Sequence, residues 1–420
     1  MILSNITTPL LGMVDTAVIG HLEHAYYLGG IAVGSMIISI IFWLAGFLRM
    51  STTGVVAQSV GNQDNQQAWR YFFHSLIIAL VLAFGLILLQ TPLISGIFSL
   101  IDASDEVIYY ADEYFSIRIY SAPAALANLV FLGFFVARQQ VKWVVYQLFT
   151  INVINIALDL FFVLGLEWGV AGAALASVIA DYCGSLLLII VLMPELKRLE
   201  LGVLTKPHAA LFSRLFSLNR DIFIRSLALQ GCLAFVTIKG AELGDVTVAA
   251  NAILLNLFMF ASYGLDGFAY AAESLVGEAK GAGNKERLHE VVVSSGIFSG
   301  IVGGAFALVL FAWGDRWIMF LTDIVAVQEM AFSYLPWLVA ICAIGWVTFL
   351  MDGVYIGLTR GREMRNSMLL SAGVFFAVWF VAQQLNNHGL WLALLCFMAC
   401  RGLSLSLNYF RLHQRSQLTR

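Results

Sequence analysis

Asp15 and Asp159 are carboxylic acids that lie inside long apolar runs of the sequence. If those runs cross a membrane, each acid costs about 2.5–3.5 kcal/mol on insertion scales, which makes it a candidate functional residue. At a rise of 1.5 Å per residue, both lie about 8–10 Å inside the outer end of their predicted helices. Two carboxylates held close together in a low dielectric cannot both stay ionised at low cost, so such a pair could bind and release one proton.

Amide and hydroxyl side chains accompany these acids. Asn152, Asn155 and Asp159 follow i, i+3, i+7 spacing and therefore share one helix face, while Ser177 and Asp181 form an i, i+4 pair on the next predicted helix. Oxygen ligands of this kind suit Na⁺ as well as a proton. An organic cation could compete for the same negative charge, and that competition is the minimal requirement for antiport.

Other polar residues in apolar runs carry weaker predictions. Asn152 is a candidate for helix–helix association, and Asp181 is either a supporting residue of the site or a buried cap. The favoured interpretation of Asp266 and Glu273 is that they pair with an intramembrane base such as Arg49 and form an inner gate. Further cleft candidates in the first half are Tyr114, Tyr120 and Asn128. Asp352 is a secondary polar candidate in the cytoplasmic half of the second-half helices, and Pro9 is a predicted helix hinge near Asp15.

The composition decides the class of protein. Of the 420 residues, 60% are hydrophobic and only 12% are charged. A soluble domain carries about 25% charged residues, so this chain has too few polar groups to cover a water-exposed surface. The net charge of −3 gives no reason to expect a nucleic-acid partner, and the five cysteines lack the spacing of a zinc site or disulfide framework. The composition indicates an all-α membrane protein.

Apolar runs long enough to span a bilayer number twelve. They cover approximately 1–20, 28–58, 71–99, 107–137, 142–166, 169–193, 222–243, 247–278, 290–313, 327–357, 366–385 and 389–411. Nineteen of the 23 Lys and Arg residues, with Arg225 and Arg401 among them, then fall on one side of the membrane. The positive-inside rule assigns that side, and both termini, to the cytoplasm. We therefore expect a multi-pass protein of the inner (plasma) membrane.

The sequence also repeats at an offset of 220 residues. Residues 20–70 align with 240–290 without a gap, and Gly133 aligns with Gly353. Each half holds six predicted helices, so both enter the membrane from the same side and the repeat is parallel. This predicts an N-lobe at 1–193, a cytoplasmic linker at 194–221, a C-lobe at 222–413 and a tail at 414–420. Two similar lobes around a central cleft favour alternating access by rocking.

Several segments resemble the multidrug and toxic compound extrusion (MATE) family, in particular its DinF-like branch. The resemblance runs over essentially the whole chain and is carried by segments 4–22, 57–61, 219–230, 263–273, 277–284 and 351–368. It implies a twelve-helix, two-lobe fold and secondary export of organic, often cationic, compounds in exchange for protons or sodium. It also implies that Asp15, Asn155, Asp159 and Ser177 form a cation or proton site in the N-lobe. We expect H⁺ as the coupling ion, with Na⁺ as the alternative.

The resemblance has one departure. The seventh predicted helix has Gln230 where the sodium-coupled branch of the family carries a glutamate, which favours coupling through the N-lobe over the C-lobe. Aromatic and thioether side chains are the expected contacts for hydrophobic cations. Candidates on the second and eighth predicted helices are Phe42, Trp43, Met50, Phe258, Met259, Tyr263, Phe268 and Tyr270.

Two other functions remain open. A lipid-linked precursor flippase of the same superfamily would need a basic cavity, yet this reading places only Arg49, Arg118 and Lys239 as bases within the membrane. A membrane-embedded enzyme is disfavoured because the sequence has no HExxH motif and no nucleotide-binding glycine loop. We expect no cofactor beyond the coupling ion, small organic substrates and membrane lipid as partners, and a monomer.

Overall fold

A computed structural model describes residues 25–99, 101, 103–199, 208–415 and 417–418. All of the regular structure in these ranges is helical. In chain order the α-helices are α1 (Ala25–Leu44), α2 (Phe47–Gly61), α3 (Asn65–Leu88), α4 (Gln90–Phe98), α5 (Asp105–Arg118), α6 (Ala122–Ala137), α7 (Val141–Asp159), α8 (Gly169–Leu196), α9 (Ala209–Glu242), α10 (Asp245–Gly281), α11 (Lys285–Leu321), α12 (Val325–Gly357), α13 (Gly361–Ala382) and α14 (Asn387–Gln414).

Short irregular helices join some of these elements. A 3₁₀ turn, Ile119–Ser121, links α5 to α6, a π-helix, Leu160–Gly165, extends α7, and a second 3₁₀ turn, Gln383–Leu385, follows α13. With these junctions, eleven helical segments of the described ranges are long and apolar enough to cross a membrane. They correspond to the second to twelfth predicted spans, which confirms the helical membrane fold. The first predicted span, 1–20, lies outside the described residues.

Several helices extend beyond the apolar runs that predict them. The largest difference is α9, which begins at Ala209 although its apolar run begins near residue 222. Its first turns carry polar residues such as Ser213, Arg214 and Arg220, and a hydropathy pattern reads such a stretch as a connecting segment. Asn219 and Asp221 are nevertheless buried, so the helix continues through them.

The contacts within the chain define two compact units. Among the described residues, the first comprises 25–56 and 65–215, and the second comprises 57–64 and 216–418. In the first unit, one core cluster of the described residues contains Tyr114, Ile31, Val163 and Val170. In the second, a more extended cluster of described residues includes Phe258, Tyr334, Phe375 and Trp391.

The 220-residue repeat is visible in the backbone of both halves of the sequence. Left-handed conformations recur at Gln63 (φ 57°) and Gly283 (φ 66°), and again at Gln139 (φ 58°) and Thr359 (φ 52°). Each pair is separated by the repeat offset and follows a helix, so matching helices end in the same way. The repeat is therefore a structural one.

Residues 57–64 belong to the second unit through specific contacts. A methyl group placed on Gly61 would come within 2.0 Å of the Glu278 carbonyl oxygen, and one on Gly281 within 1.9 Å of the Gln58 carbonyl oxygen. These two contacts are related by the repeat offset. The Gln58 side chain also donates a hydrogen bond to the Gly357 carbonyl oxygen at 2.8 Å and thereby caps the end of α12.

Candidate functional site

Three of the predicted coupling residues lie in the first unit on neighbouring helices. The amide of Asn155, on α7, donates a hydrogen bond to the Ser177 hydroxyl, on α8, at 3.1 Å. Asp159 is one turn further along α7 and is 2% exposed, while Asn155 is 1% exposed. The structure thus brings Asn155 to Ser177 and keeps the Asp159 carboxyl group within the packed bundle.

The oxygen atoms of these residues give the cluster its chemistry. The Asn155 side-chain oxygen accepts no hydrogen bond from any residue that the structure describes. A carboxylate, an amide oxygen and a hydroxyl could hold a proton at Asp159 or supply oxygen ligands to Na⁺. Asp15 and Pro9 lie outside the described residues, so the predicted Asp15–Asp159 pair stays a prediction.

A break in regular helix geometry marks the end of this cluster. The π-helix Leu160–Gly165 begins directly after Asp159. π-helical turns are rare and occur frequently at functional sites, because they widen the helix and reorient the side chains next to it. Asp159 is therefore the last residue of α7 before the helix changes to π geometry.

A second polar cluster lies deeper in the same unit and is centred on an ion pair. The guanidinium group of Arg118, on α5, contacts the Asp181 carboxylate, on α8, at 2.7 Å. Arg118 also hydrogen-bonds Ser121 and the Tyr114 side chain. Its guanidinium carbon lies 5.6 Å from the centre of the Phe42 ring, which is cation–π geometry. Asp181, predicted as a supporting residue or a cap, is the partner of an intramembrane base.

Amides and hydroxyls hold the helix segment that carries Asp181. Asn128 donates its side-chain N–H to the Asp181 carbonyl oxygen at 3.0 Å. The Asn128 side-chain oxygen in turn accepts from Gln147 at 2.8 Å and from Ser185 at 2.7 Å. Asn128 is thus satisfied on both sides, and it joins α6 to α7 and α8.

Sequence reasoning missed Gln147 and Ser185. Gln147 precedes Asn155 and Asp159 on α7 at multiples of four residues, and Ser185 continues the Ser177–Asp181 spacing on α8. Extending either pattern by one or two turns would have found them.

The remaining N-lobe candidates differ in their surroundings. Tyr114 is buried in a small apolar cluster, while the Tyr120 side chain is exposed and its carbonyl oxygen accepts a hydrogen bond from Tyr182 at 3.0 Å. Asn152 is half-buried on α7. Among the hydrogen bonds given above for the described residues, none joins Tyr114, Tyr120 or Asn152 to the Asn155–Ser177 pair.

The second unit contains an ion-pair cluster that the sequence did not predict. Arg225 and Arg401 lie inside α9 and α14 and are 5% and 3% exposed. Both form ion pairs with the same oxygen of Asp352, on α12. The pairing could not be read from the sequence because the three residues are distant from one another in the chain. The assignment of both arginines to the cytoplasmic side stays a prediction.

The other acids of the second half lie on α10. Glu273 is 1% exposed, and its backbone packs against Gly357, whereas Asp266 is half-buried. Their predicted role as an inner gate with Arg49 stays a prediction.

Comparison with known proteins shows that this chain is similar to transporters. The MatE family model matches residues 1–161 and 222–381, which are the two halves of the repeat. The chain is 44% identical over 418 residues to DNA damage-inducible protein F of Escherichia coli (strain K12), covering 99% of this chain and 91% of that protein. It is 20% identical over 386 residues to multidrug export protein MepA of Staphylococcus aureus (strain N315), covering 92% and 85% of the two chains.

Solved structures agree with the fold. A crystal structure described as MATE in the bent conformation matches with a TM-score of 0.91, over 100% of this chain and 94% of that chain, at 18% sequence identity. At this identity the match supports the architecture alone.

Proposed function

Because this chain belongs to the MATE family, we propose that it exports amphipathic, often cationic, organic compounds across the inner membrane in exchange for protons. The observation that carries the proposal is the Asn155–Ser177 hydrogen bond beside the buried carboxyl group of Asp159. The multidrug export activity named for the Staphylococcus aureus relative supports the same direction and substrate class.

The proposed cycle uses competition at the N-lobe acids. A proton entering from outside neutralises Asp159, or its partner Asp15, and favours one conformation. Release of that proton to the cytoplasm restores a negative charge, which an organic cation can then use. The proton and the cargo favour opposite conformations of the protein, so transport of one requires transport of the other in the opposite direction. Both chain termini are placed in the cytoplasm in this scheme.

The test is dye uptake into inside-out vesicles that contain the full-length protein. We expect an acidic lumen to drive uptake, and a sodium gradient directed out of the lumen at equal pH to drive none. Asp159→Asn and Asp15→Asn should each lower proton-driven uptake at least about tenfold, which corresponds to about 1.4 kcal/mol. Asp112→Asn, which changes an exposed acid on α5, should transport normally.

Two results would contradict the proposal. Uptake driven by sodium alone would show that the coupling ion is Na⁺. Normal proton-driven uptake by the Asp159→Asn and Asp15→Asn variants would show that the N-lobe acids do not carry the coupling ion.

A further inference from the structure

Arg118 is held by the same chemistry that recognises an organic cation. A carboxylate, Asp181, lies 2.7 Å from its guanidinium group, and the Phe42 ring lies 5.6 Å from its central carbon. Carboxylates and aromatic faces are the two groups that bind guanidinium and quaternary ammonium ligands most strongly. Asp181 and Phe42 thus have the chemistry of a site for an organic cation, and the Arg118 side chain occupies that site.

The pair is less enclosed than the ion pairs of the second unit. Arg118 closes the 14-residue helix α5, about 20 Å from the first residue of that helix, and Asp181 is about 18 Å along α8. Both are therefore near the middle of their spans. Their side chains are 14% and 13% exposed, compared with 7%, 9% and 4% for Arg225, Asp352 and Arg401.

The two partners differ in how they are held. The backbone at Asp181 is fixed by Asn128, which Gln147 and Ser185 fix in turn. Arg118 ends its α-helix before a 3₁₀ turn, and its side chain is held by contacts to Asp181, Ser121 and Tyr114. A rotation of the Arg118 side chain breaks these contacts without moving a helix, so another cation can take the place of the guanidinium group.

Asp181 is also linked to the proposed coupling site. It lies one turn from Ser177 on α8, and Ser177 accepts the hydrogen bond from Asn155. A change in what occupies Asp181 therefore acts on the helix that contacts the coupling residues.

We propose that Arg118 is a tethered stand-in for the positively charged group of the cargo. It occupies Asp181 and the Phe42 face when cargo is absent, and a cargo cation displaces it on binding. Arg118 then sets the affinity threshold for cations and keeps Asp181 paired during the empty return step. The inference rests on the proposed function, since it assumes that organic cations are transported.

The experiment is equilibrium binding of radiolabelled tetraphenylphosphonium to the purified full-length protein. A built-in competitor lowers the apparent affinity by the fraction of time that it occupies the site. Arg118→Gln should therefore bind the probe about 2- to 5-fold more tightly than the wild type, as expected for removal of one partly exposed ion pair. Asp181→Asn should bind it at least about tenfold more weakly.

Matched variants separate this role from a structural one. Arg138→Gln removes an arginine that also contacts a carboxylate, Glu195 at 2.8 Å, and an aromatic ring, Phe134 at 5.1 Å, and it should leave binding unchanged. The double variant Arg118→Gln/Asp181→Asn removes both charges without leaving a lone one, and it should lose the gain in affinity. Thermal unfolding of each variant verifies that it is folded.

Weaker, unchanged or absent probe binding by Arg118→Gln would overturn the inference, as would an equal gain in Arg138→Gln. Binding at equilibrium needs no ion gradient, so this result is independent of the vesicle experiment on Asp159. A failure of proton coupling and a failure of the Arg118 role therefore give different outcomes.

Discussion

Asp352 accepts ion pairs from Arg225 and Arg401 at one oxygen, and all three side chains are buried. They come from three helices, α9, α12 and α14, so the carboxylate ties together elements that are far apart in the sequence. Burying charges is costly unless they are paired, and the paired arrangement gives little net stability. Removing one member is different, because it leaves a buried charge without compensation.

We therefore expect Asp352→Asn to destabilise the protein by about 3–5 kcal/mol. The measurement is thermal unfolding of the purified protein in one detergent. Asp323→Asn, at an exposed acid before α12, is the control and should change stability by less than about 0.5 kcal/mol. Equal stability of Asp352→Asn and the wild type would mean that the triad is not a structural anchor.

The Asn155–Ser177 hydrogen bond predicts a separate effect on transport. Loss of such a bond costs about 1 kcal/mol, so Ser177→Ala should lower proton-driven uptake about fivefold. Asn152→Ala, one turn from Asn155 on α7, should have little effect. The measurement is the initial rate of dye uptake at matched protein levels, and a larger loss in Asn152→Ala than in Ser177→Ala would contradict the assignment.

The sequence identified which side chains are energetically costly to place in a membrane, but not which of them pair with each other. The spacing places Asn155 and Asp159 on one helix face, and the family resemblance implies that Ser177 joins them. The Arg118–Asp181 and Arg225–Asp352–Arg401 pairings join residues tens to more than a hundred positions apart. Such pairings depend on how the helices pack, and no local pattern encodes them.

At the scale of helices, glycines mark where two helix backbones touch. A methyl group on Gly133, in α6, would come within 2.5 Å of the Arg49 carbonyl oxygen, in α2. A methyl group on Gly353, in α12, would come within 2.4 Å of the Ala269 carbonyl oxygen, in α10. The two contacts are separated by the repeat offset, so both units use the same crossing.

Gly133→Ala and Gly353→Ala should each cost about 1–3 kcal/mol, because the helices must move apart to accommodate the methyl group. Gly373→Ala, in α13, is the control, since no heavy atom of the described residues lies within 4 Å of its methyl position. That change should be neutral or stabilise the helix by about 0.5–1 kcal/mol. Thermal unfolding measures the difference, and equal midpoints for Gly353→Ala and Gly373→Ala would show that the crossing tolerates the methyl group.

Most helix locations could be predicted from hydropathy, whereas their ends could not. The apolar run of the seventh predicted span begins near residue 222, yet α9 extends back to Ala209 through Arg214 and Arg220. Arg214 donates a hydrogen bond to Tyr71 at 2.9 Å, and the adjacent Leu215 is fully buried. Tertiary contacts of this kind stabilise polar helix turns that a hydropathy window excludes.

For the molecule as a whole, the distribution of charges predicts the orientation in the membrane. After replacement of the five native cysteines, Glu106→Cys and Asp323→Cys should react with a membrane-impermeant maleimide in intact cells. Lys285→Cys and Arg362→Cys should react only after the cells are permeabilised. All four positions are exposed. The reverse labelling pattern would place both termini outside.

The 220-residue repeat was the most reliable prediction at this scale, because it needs only aligned residues and no knowledge of packing. The paired left-handed residues at 63 and 283, and at 139 and 359, agree with it.

The hydrogen bond from Gln58 to Gly357, and the packing of Gly61 on Glu278, also affect how the chain is made. When residues 57–64 leave the ribosome, their partners have not been synthesised. At about 5–20 residues per second, roughly 10–60 s pass before those partners emerge. During that interval the end of α2 lacks its partners, so the insertion machinery must keep it from making other contacts. A nascent chain released before residue 278 is made therefore lacks the contacts that hold residues 57–64 in the folded protein.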